Sequence, residues 1–253
     1  MSSPPFDDLT DAYEAMIDWP RRLAHETPFY RWLFDRVDAK RLLDAACGTG
    51  HHAAMFHSWG LEVEGADLSP AMINRCRARH GESDNLRWAV RGYDQPVPAA
   101  GSFDVVICTG NSLALASDTE IVAAAVREML TAVRSGGALL IHLLNFWRLP
   151  DGEPMWQKCR RAPLPQGDSL IIKGVHRCGS RGFVHMLVTL LTTEAGSNPT
   201  LRSEAVPFLG LSEVELEGLA RTAGASAVEL YGGYDRRPYQ RAESFDLILL
   251  ASP

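Results

Sequence analysis

The sequence predicts an α/β fold: a doubly wound, mostly parallel seven-stranded sheet with an N-terminal helical lid and a small antiparallel β insertion. Three observations predict it. From Arg41 to Leu144, short apolar runs alternate with stretches of helical period. Residues 41–53, RLLDAACGTGHHA, pass from an apolar run through Gly48-Thr49-Gly50 into a helical stretch, the form of a strand-to-helix turn that cradles a nucleotide. Beyond about residue 150, turn-rich links too short for helices join the apolar runs, and neighbours joined so tightly are antiparallel.

The elements follow in order. Residues 7–37 read as helix in two pieces broken at Pro20 and Pro28. Tyr13, Met16, Ile17 and Trp19 form the apolar face of the first; Leu23, Phe29, Trp32, Leu33 and Val37 form that of the rest. This segment packs on the sheet or closes over the nucleotide, with Tyr13, Trp19 and Arg22 pointing in. Strands are expected at 41–47, 62–68, 86–91, 103–109 and 138–144, and helices at 51–59, 70–80 and 118–134. Ser69 and Pro70 suit a cap and first turn, Asp118 caps the third helix, and Ser135-Gly136-Gly137 stops it. Helical crossovers between five strands require a parallel sheet.

Strands at 169–177, 183–193 and 201–209 make the insertion a small meander, expected over the mouth of the sheet. A helix at 212–223 has Ser212 and Glu215 in capping-box spacing and Gly224 as its stop. Strands at 227–233 and 245–251 close the chain as an antiparallel hairpin at the sheet edge. The expected organisation is residues 1–150 for the lid and cofactor half, 151–210 for the cap, and 211–253 for the closing elements.

Composition narrows the function classes. With 46% hydrophobic and 22% charged residues, the chain reads as an ordinary globular domain. A net charge of −6 disfavours nucleic acid and anionic membrane as partners. No apolar run reaches the ~20 residues of a membrane span, and MSSPPFDDLT is too polar for a signal peptide. Five scattered cysteines without CxxC or Cys/His metal spacing imply free thiols, a cytoplasmic setting and no bound metal.

The chemistry starts from the loop. GTGHHA (48–53) satisfies the G-x-G-x-x-G/A fingerprint, and Asp67 ends the second strand about twenty residues on, where an acid takes ribose hydroxyls. These two features fit NAD and S-adenosylmethionine equally.

Further segments separate the two. LLDAACGTG, with Asp44 four residues before Gly48, resembles the first motif of class I S-adenosylmethionine-dependent methyltransferases. GADLSPAMI (65–73) resembles their second, FDVVICTGNSLA (103–114) the fourth-strand motif, and VRSGGALLI (133–141) the loop into strand five. CTGNSLALASD (108–118), LLNFWRL (143–149), the closing YGGYDRRPYQRAESFDLILLA (231–251) and W-x-x-R-L-x-x-E-x-P (Trp19 to Pro28) narrow the resemblance to the glycine and sarcosine N-methyltransferases. The antiparallel insertion is shared with that group and with methyltransferases acting on amino sugars.

The resemblance implies S-adenosyl-L-methionine as cofactor, S-adenosyl-L-homocysteine as product and a small-molecule methyl acceptor; it allows an oligomer of identical chains. It implies that Asp67 binds the ribose and Met72 covers the adenine. The cofactor-binding set expected from loop positions and resemblance together is Tyr13, Trp19, Arg22, Ala46, Gly48, Gly50, Asp67, Leu68, Met72, Tyr93, Asp94 and Thr109. Asn111, Asn145 and Tyr239 are the expected catalytic residues, because an Asn carbonyl accepts from an amine while its amide donates to a carboxylate or hydroxyl.

Two positions depart from the family. Where glycine N-methyltransferase carries the arginine that grips the substrate carboxylate, this chain has Leu144; Arg148, Arg236 and Arg237 are the candidate substitutes. The acidic residue usual after strand three is replaced by Gly92, with Asp94 or the Tyr93 N–H as candidates for its role. His142 is read as a core histidine, His51 and His52 as helix-surface residues, and His185 as a candidate for the substrate pocket.

The expected activity is therefore N-methylation of a small amine by holding both partners at attack distance, a device worth roughly 7–11 kcal/mol in favourable cases. N- or O-methylation of a larger natural-product or amino-sugar acceptor is the alternative. An NAD-dependent oxidoreductase and a non-catalytic cofactor binder are more distant rivals.

Overall fold

The computed structural model describes residues 10–98, 101–191 and 201–253. Its central sheet runs in the order β10-β11-β5-β4-β1-β2-β3, with β1 at Arg41–Asp44, β2 at Glu62–Asp67, β3 at Leu86–Val90, β4 at Phe103–Cys108, β5 at Val133–Leu144, β10 at Ala227–Tyr231 and β11 at Asp246–Ser252. The first five strands are mutually parallel; β11 is antiparallel to both β5 and β10, so the closing hairpin forms the edge as expected. Strand order reverses between β4 and β1. Crevices for ligands open beyond the carboxyl ends of strands at such a reversal.

The helices differ in detail from the expectation. α1 spans Thr10–Met16 and α2 spans Trp19–Val37, so the break precedes Trp19. Pro20 sits in the first turn of α2, where its missing N–H costs nothing, and Asp18 accepts from the Arg21 N–H. Pro28 lies inside the helix and does not break it. An interior proline costs about 3 kcal/mol of propensity; here Phe29, Tyr30 and Leu33, all fully buried, hold the helix against the sheet. α3 is His51–Ser58, α4 Pro70–His80 and α5 Thr119–Ala132. Ser69 and Asp118 cap α4 and α5 by accepting from the Met72 and Ile121 N–H groups.

Two strand boundaries also move. β1 stops at Asp44, leaving 45–50 as loop, and α5 gives way at Val133 directly to β5, which includes Ser135-Gly136-Gly137.

The insertion is a separate four-stranded antiparallel sheet, β6-β7-β8-β9, at Pro154–Leu164, Gly167–Cys178, Arg181–Leu190 and Leu201–Leu209. β6 is one strand more than expected; 192 and 193, expected at the end of the 183–193 strand, lie outside the described residues. The cap straddles the body: β6 lies against α1, and β9 lies against the 3-10 turn Leu113–Leu115 that follows β4. The chain enters the cap past Phe146 and leaves it past Gly210, and Phe146 packs edge-on to Phe208 at 5.7 Å. A Cβ at Gly210 would fall 2.3 Å from the Phe146 ring, so the two crossings touch. α6, Glu213–Thr222, opens with the complete Ser212/Glu215 capping box. Among the described residues no helix is long and apolar enough to cross a membrane.

Candidate active site

A cavity of about 420 Å³ opens beyond the carboxyl ends of the parallel strands. Its walls are the loops the sequence nominated: Ala45–Thr49 after β1, Asp67–Ser69 after β2, Gly92–Gln95 after β3 and Thr109, Gly110 and Ser112 after β4, closed over by Tyr13, Trp19 and Arg22 of the lid. Of the twelve expected cofactor-binding residues, Tyr13, Trp19, Arg22, Ala46, Gly48, Asp67, Leu68, Met72, Tyr93, Asp94 and Thr109 line it.

Gly50 does not. It is the residue before α3, at φ +81°, and a Cβ there would meet Trp88 at 2.7 Å and Cys76 Sγ at 2.9 Å. Its small size lets the turn rest on the core beneath, so the glycine supports the loop from behind.

The carboxylate of Asp67 is fixed between two backbone donors: Oδ2 accepts from the Gly48 N–H at 2.9 Å and Oδ1 from the Ser69 N–H at 3.0 Å. One side chain thus sets both the glycine loop and the entry to α4. Below the loop, Asp44 is 1% exposed and its Oδ1 has no partner among the described residues. Burial pushes its carboxyl up to about 7, and the negative charge of Asp67 adds to the rise.

The lid is held by two polar clusters that the sequence reading did not find. In one, Glu26 of α2 accepts from Arg22 Nε at 2.8 Å and from His52 Nε2 at 2.6 Å, with Tyr30 Oη at 3.4 Å. The i, i+4 spacing of Arg22 and Glu26 was the available signal. Burial opposes ionisation of Glu26, but the hydrogen bonds and charge around it outweigh that and hold its carboxyl at about 2. Burial keeps His52 neutral by lowering its pKa, so its contact is an N–H donated to a carboxylate and Arg22 supplies the counter-charge. In the other cluster, Glu14 of α1 accepts from Thr49 Oγ1 at 2.7 Å and lies 2.6 Å from His51 Nε2, with Arg79 as a third partner. These bonds overcome burial and hold Glu14 at about 2 as well.

The sign of the pH dependence follows. Both carboxyls lie below the ordinary glutamate value of about 4.3. Their contribution is complete above that value and is lost as pH falls from it toward about 2. His52 adds loss below about 6.5, because only the unfolded chain accepts its proton readily. Acidification from pH 6 to pH 3 is expected to release α1 and α2 before the sheet. Hydrogen exchange checks this: amides of residues 10–37 lose protection while those of β1, β4 and β5 keep it, and simultaneous loss would contradict the assignment.

The three expected catalytic residues lie outside the cavity wall. Asn111 is left-handed at φ 69°, and its Oδ1 accepts from the Leu144 N–H at 2.9 Å, tying the end of β4 to the end of β5. Asn145 is 2% exposed; its amide donates to the carbonyls of Arg241 and Ser244, both at 2.8 Å, and its Oδ1 accepts from Tyr239 Oη at 3.0 Å. Asn145 and Tyr239 therefore latch the closing loop to β5. These partners, distant in the chain, do not show where the sequence offers only an Asn past a strand end.

The arginines proposed to replace the family's carboxylate anchor are engaged elsewhere. Arg148 stacks on Phe245 at 3.6 Å, Arg236 lies over Trp32 at 5.0 Å, and Arg237 pairs with Asp235. His142 is the bonded histidine expected: Nδ1 accepts from the Gly110 N–H at 3.2 Å and Nε2 faces Asp246. His185 faces His176 at 2.8 Å on the cap and does not line the cavity.

Residues 42–137 match the family model described as a methyltransferase domain. The chain is 31% identical over 152 residues to the glycine/sarcosine N-methyltransferase of Parasynechococcus marenigrum (strain WH8102), covering 58% of this chain and 52% of that one. It is 32% identical over 140 residues to the glycine N-methyltransferase of Oryctolagus cuniculus, covering 47% and 48%. The matches span about half the length of these curated relatives. Among solved structures, the sugar N-methyltransferase KedS8 from Streptoalloteichus sp ATCC 53650 superposes with a TM-score of 0.75 at 21% identity, covering 100% of this chain and 95% of that one. That likeness is one of fold.

Proposed function

We propose that this chain, a member of the class I S-adenosylmethionine-dependent methyltransferases and a distant homologue of the glycine and sarcosine N-methyltransferases, transfers a methyl group to the nitrogen of a small amine. The residues present suit the cofactor. Asp67 turns its carboxylate to the cavity where ribose hydroxyls would lie, and Leu68, Met72 and Tyr93 offer apolar wall for an adenine. The orphaned Oδ1 of Asp44 lies beneath the loop that a cationic ligand would cover. S-adenosylmethionine supplies an activated methyl on a sulfonium; orientation and exclusion of water fall to the protein.

One observation carries nitrogen over oxygen. After β4 the described residues of the cavity wall are Thr109, Gly110, Ser112, Leu115, Ala116, Ser117 and Ile121, with no carboxylate or histidine among them; of the titratable groups elsewhere in the wall, His52 is bonded to Glu26 and Asp67 to the Gly48 and Ser69 N–H groups, and Asp94 lies after β3. A hydroxyl acceptor needs a positioned base to take its proton in the transition state. A neutral amine attacks without one, and alignment by the wall and lid accounts for the acceleration.

A larger amine such as an amino sugar is the second reading. Leu144 removes the family's carboxylate grip, and the chain as a whole resembles in fold a sugar N-methyltransferase. Labelled S-adenosylmethionine tested with glycine, sarcosine and a set of amino sugars separates the two. Label transferred to glycine or sarcosine supports the first, and label on amino sugars alone supports the second. Cofactor binding with no transfer to any amine overturns both. Tight NAD binding without response to S-adenosylhomocysteine in calorimetry would return the chain to the oxidoreductases.

A further inference from the structure

The cap carries a cation that the cofactor site does not use. Antiparallel pairing sets Lys158 of β6, Lys173 of β7, Met186 of β8 and Glu204 of β9 side by side in one row. Directly opposed residues on paired strands share a face. This face is the inner one: Ile171 and Val175, two residues to either side of Lys173, and Met186 beside it are buried in the hydrophobic core shared with the body.

Lys173 therefore points inward from a middle strand of a cap that rests on α1 at one side and on the 113–115 turn at the other. Among the described residues its ammonium has no ion-pair or hydrogen-bond partner. Burial lowers its pKa to about 8, and the positive charges of Lys158 and of Arg22 in the cavity wall add to the fall. Lys158 is anchored beside it, donating to the Met16 carbonyl at 3.2 Å. Glu204 stands two strands from Lys173, on the order of 10 Å at ordinary strand spacing, with the buried Met186 between them.

An ammonium on this inner face, half-buried, without a counter-ion among the described residues and near two other cations, is a place where the negative charge of a ligand is favoured. We propose that Lys173, supported by Lys158, is an anion-binding subsite of the acceptor pocket, so that the acceptor is an amine bearing a carboxylate or phosphate held from the cap rather than from the end of β5. The proposal rests on the methyltransferase reading for its amine and on the cap alone for its anion. It accounts for Leu144: the grip absent from β5 is supplied from the opposite wall.

The test has a binding arm and a turnover arm. In calorimetry, the S-adenosylhomocysteine complex of the wild type is titrated with acetate and with inorganic phosphate, beside K173M and K173R. Binding of either anion, weakened at least tenfold in K173M and largely kept in K173R, supports the subsite; the stronger anion distinguishes carboxylate from phosphate. No anion binding in the wild type, or unchanged binding in K173M, overturns it. Cofactor affinity within twofold of wild type shows that the variant is folded.

In turnover, glycine, aminomethylphosphonate, glycinamide and ethanolamine are compared as acceptors. The KM for the anionic amines is expected to rise 10- to 100-fold in K173M, and their preference over the neutral ones to collapse. A preference that survives in K173M overturns the proposal. Anion binding without methyl transfer to any amine would remove the N-methyltransferase reading and leave the anion site standing.

Discussion

Asp67→Ala is expected to weaken binding of S-adenosylmethionine by roughly 10- to 100-fold, the value of one charge-assisted hydrogen bond or slightly more at about 1.5–3 kcal/mol each. The carboxylate has two duties. It lines the cavity where the ribose is expected, and it holds the Gly48 and Ser69 N–H groups that set the glycine loop and the start of α4. Alanine abolishes both, leaving two backbone donors to find water and the loop free to drift. Asp67→Asn keeps an acceptor for one of the two donors, so its loss should be intermediate. Calorimetry with S-adenosylhomocysteine measures both variants. Unchanged affinity in Asp67→Ala would reject the ribose role.

Asp44→Asn should raise stability and lower cofactor affinity together. Asp44 is buried, its Oδ1 has no partner among the described residues, and burial lifts its carboxyl to about 7. Between its unfolded value near ~3.9 and about 7, the folded protein holds a proton that the unfolded chain has released, so this residue makes stability fall as pH rises through that window. Above the window the ionised group costs on the order of 4 kcal/mol. Asparagine removes that cost but leaves a buried amide short of a partner, a penalty of about 1–3 kcal/mol.

The net gain at pH 8 is therefore about 1–3 kcal/mol, and each kcal/mol is worth roughly 2–4 °C of Tm in a chain of this size. At pH 4, where Asp44 is protonated in the folded protein, the gain disappears. A cationic ligand favours the carboxylate, so wild-type cofactor affinity should rise as pH climbs through about 7, and that rise should be absent in Asp44→Asn. Thermal melts and calorimetry at pH 5 and pH 8 decide it. A variant less stable than wild type at pH 8 would show that Asp44 is ionised at little cost.

The strands of the cofactor half were legible because each is a short apolar run between turn residues, and the order of their loops located the cavity. The helical break was misplaced because proline was weighed by propensity alone. Pro20 falls in a first turn and Pro28 lies on a helix fastened by Phe29, Tyr30 and Leu33, and neither circumstance shows in a local pattern. β6 escaped because nearly every side chain on it is exposed and its residues, among them Lys158, Arg160 and Arg161, carry no apolar alternation. Glycine at 48 lines the cavity and glycine at 50 packs closely on Trp88 and Cys76, a difference only the fold reveals. Asn145 and Tyr239 were drawn toward catalysis by their position after a strand and in a loop; the partners that make them a latch lie some hundred residues away in the chain.

The touching entry and exit of the cap at Phe146 and Gly210 bear on how such a protein evolves. Every residue of the cofactor cavity wall falls between Tyr13 and Ile121, ahead of the point where the chain departs into the cap. An insertion anchored by two adjacent crossings can lengthen, shorten or change its inner face with β5 and β11 still paired. If the cap holds the acceptor as proposed, its inner face can change with the acceptor while the stretch that lines the cofactor cavity stays as it is.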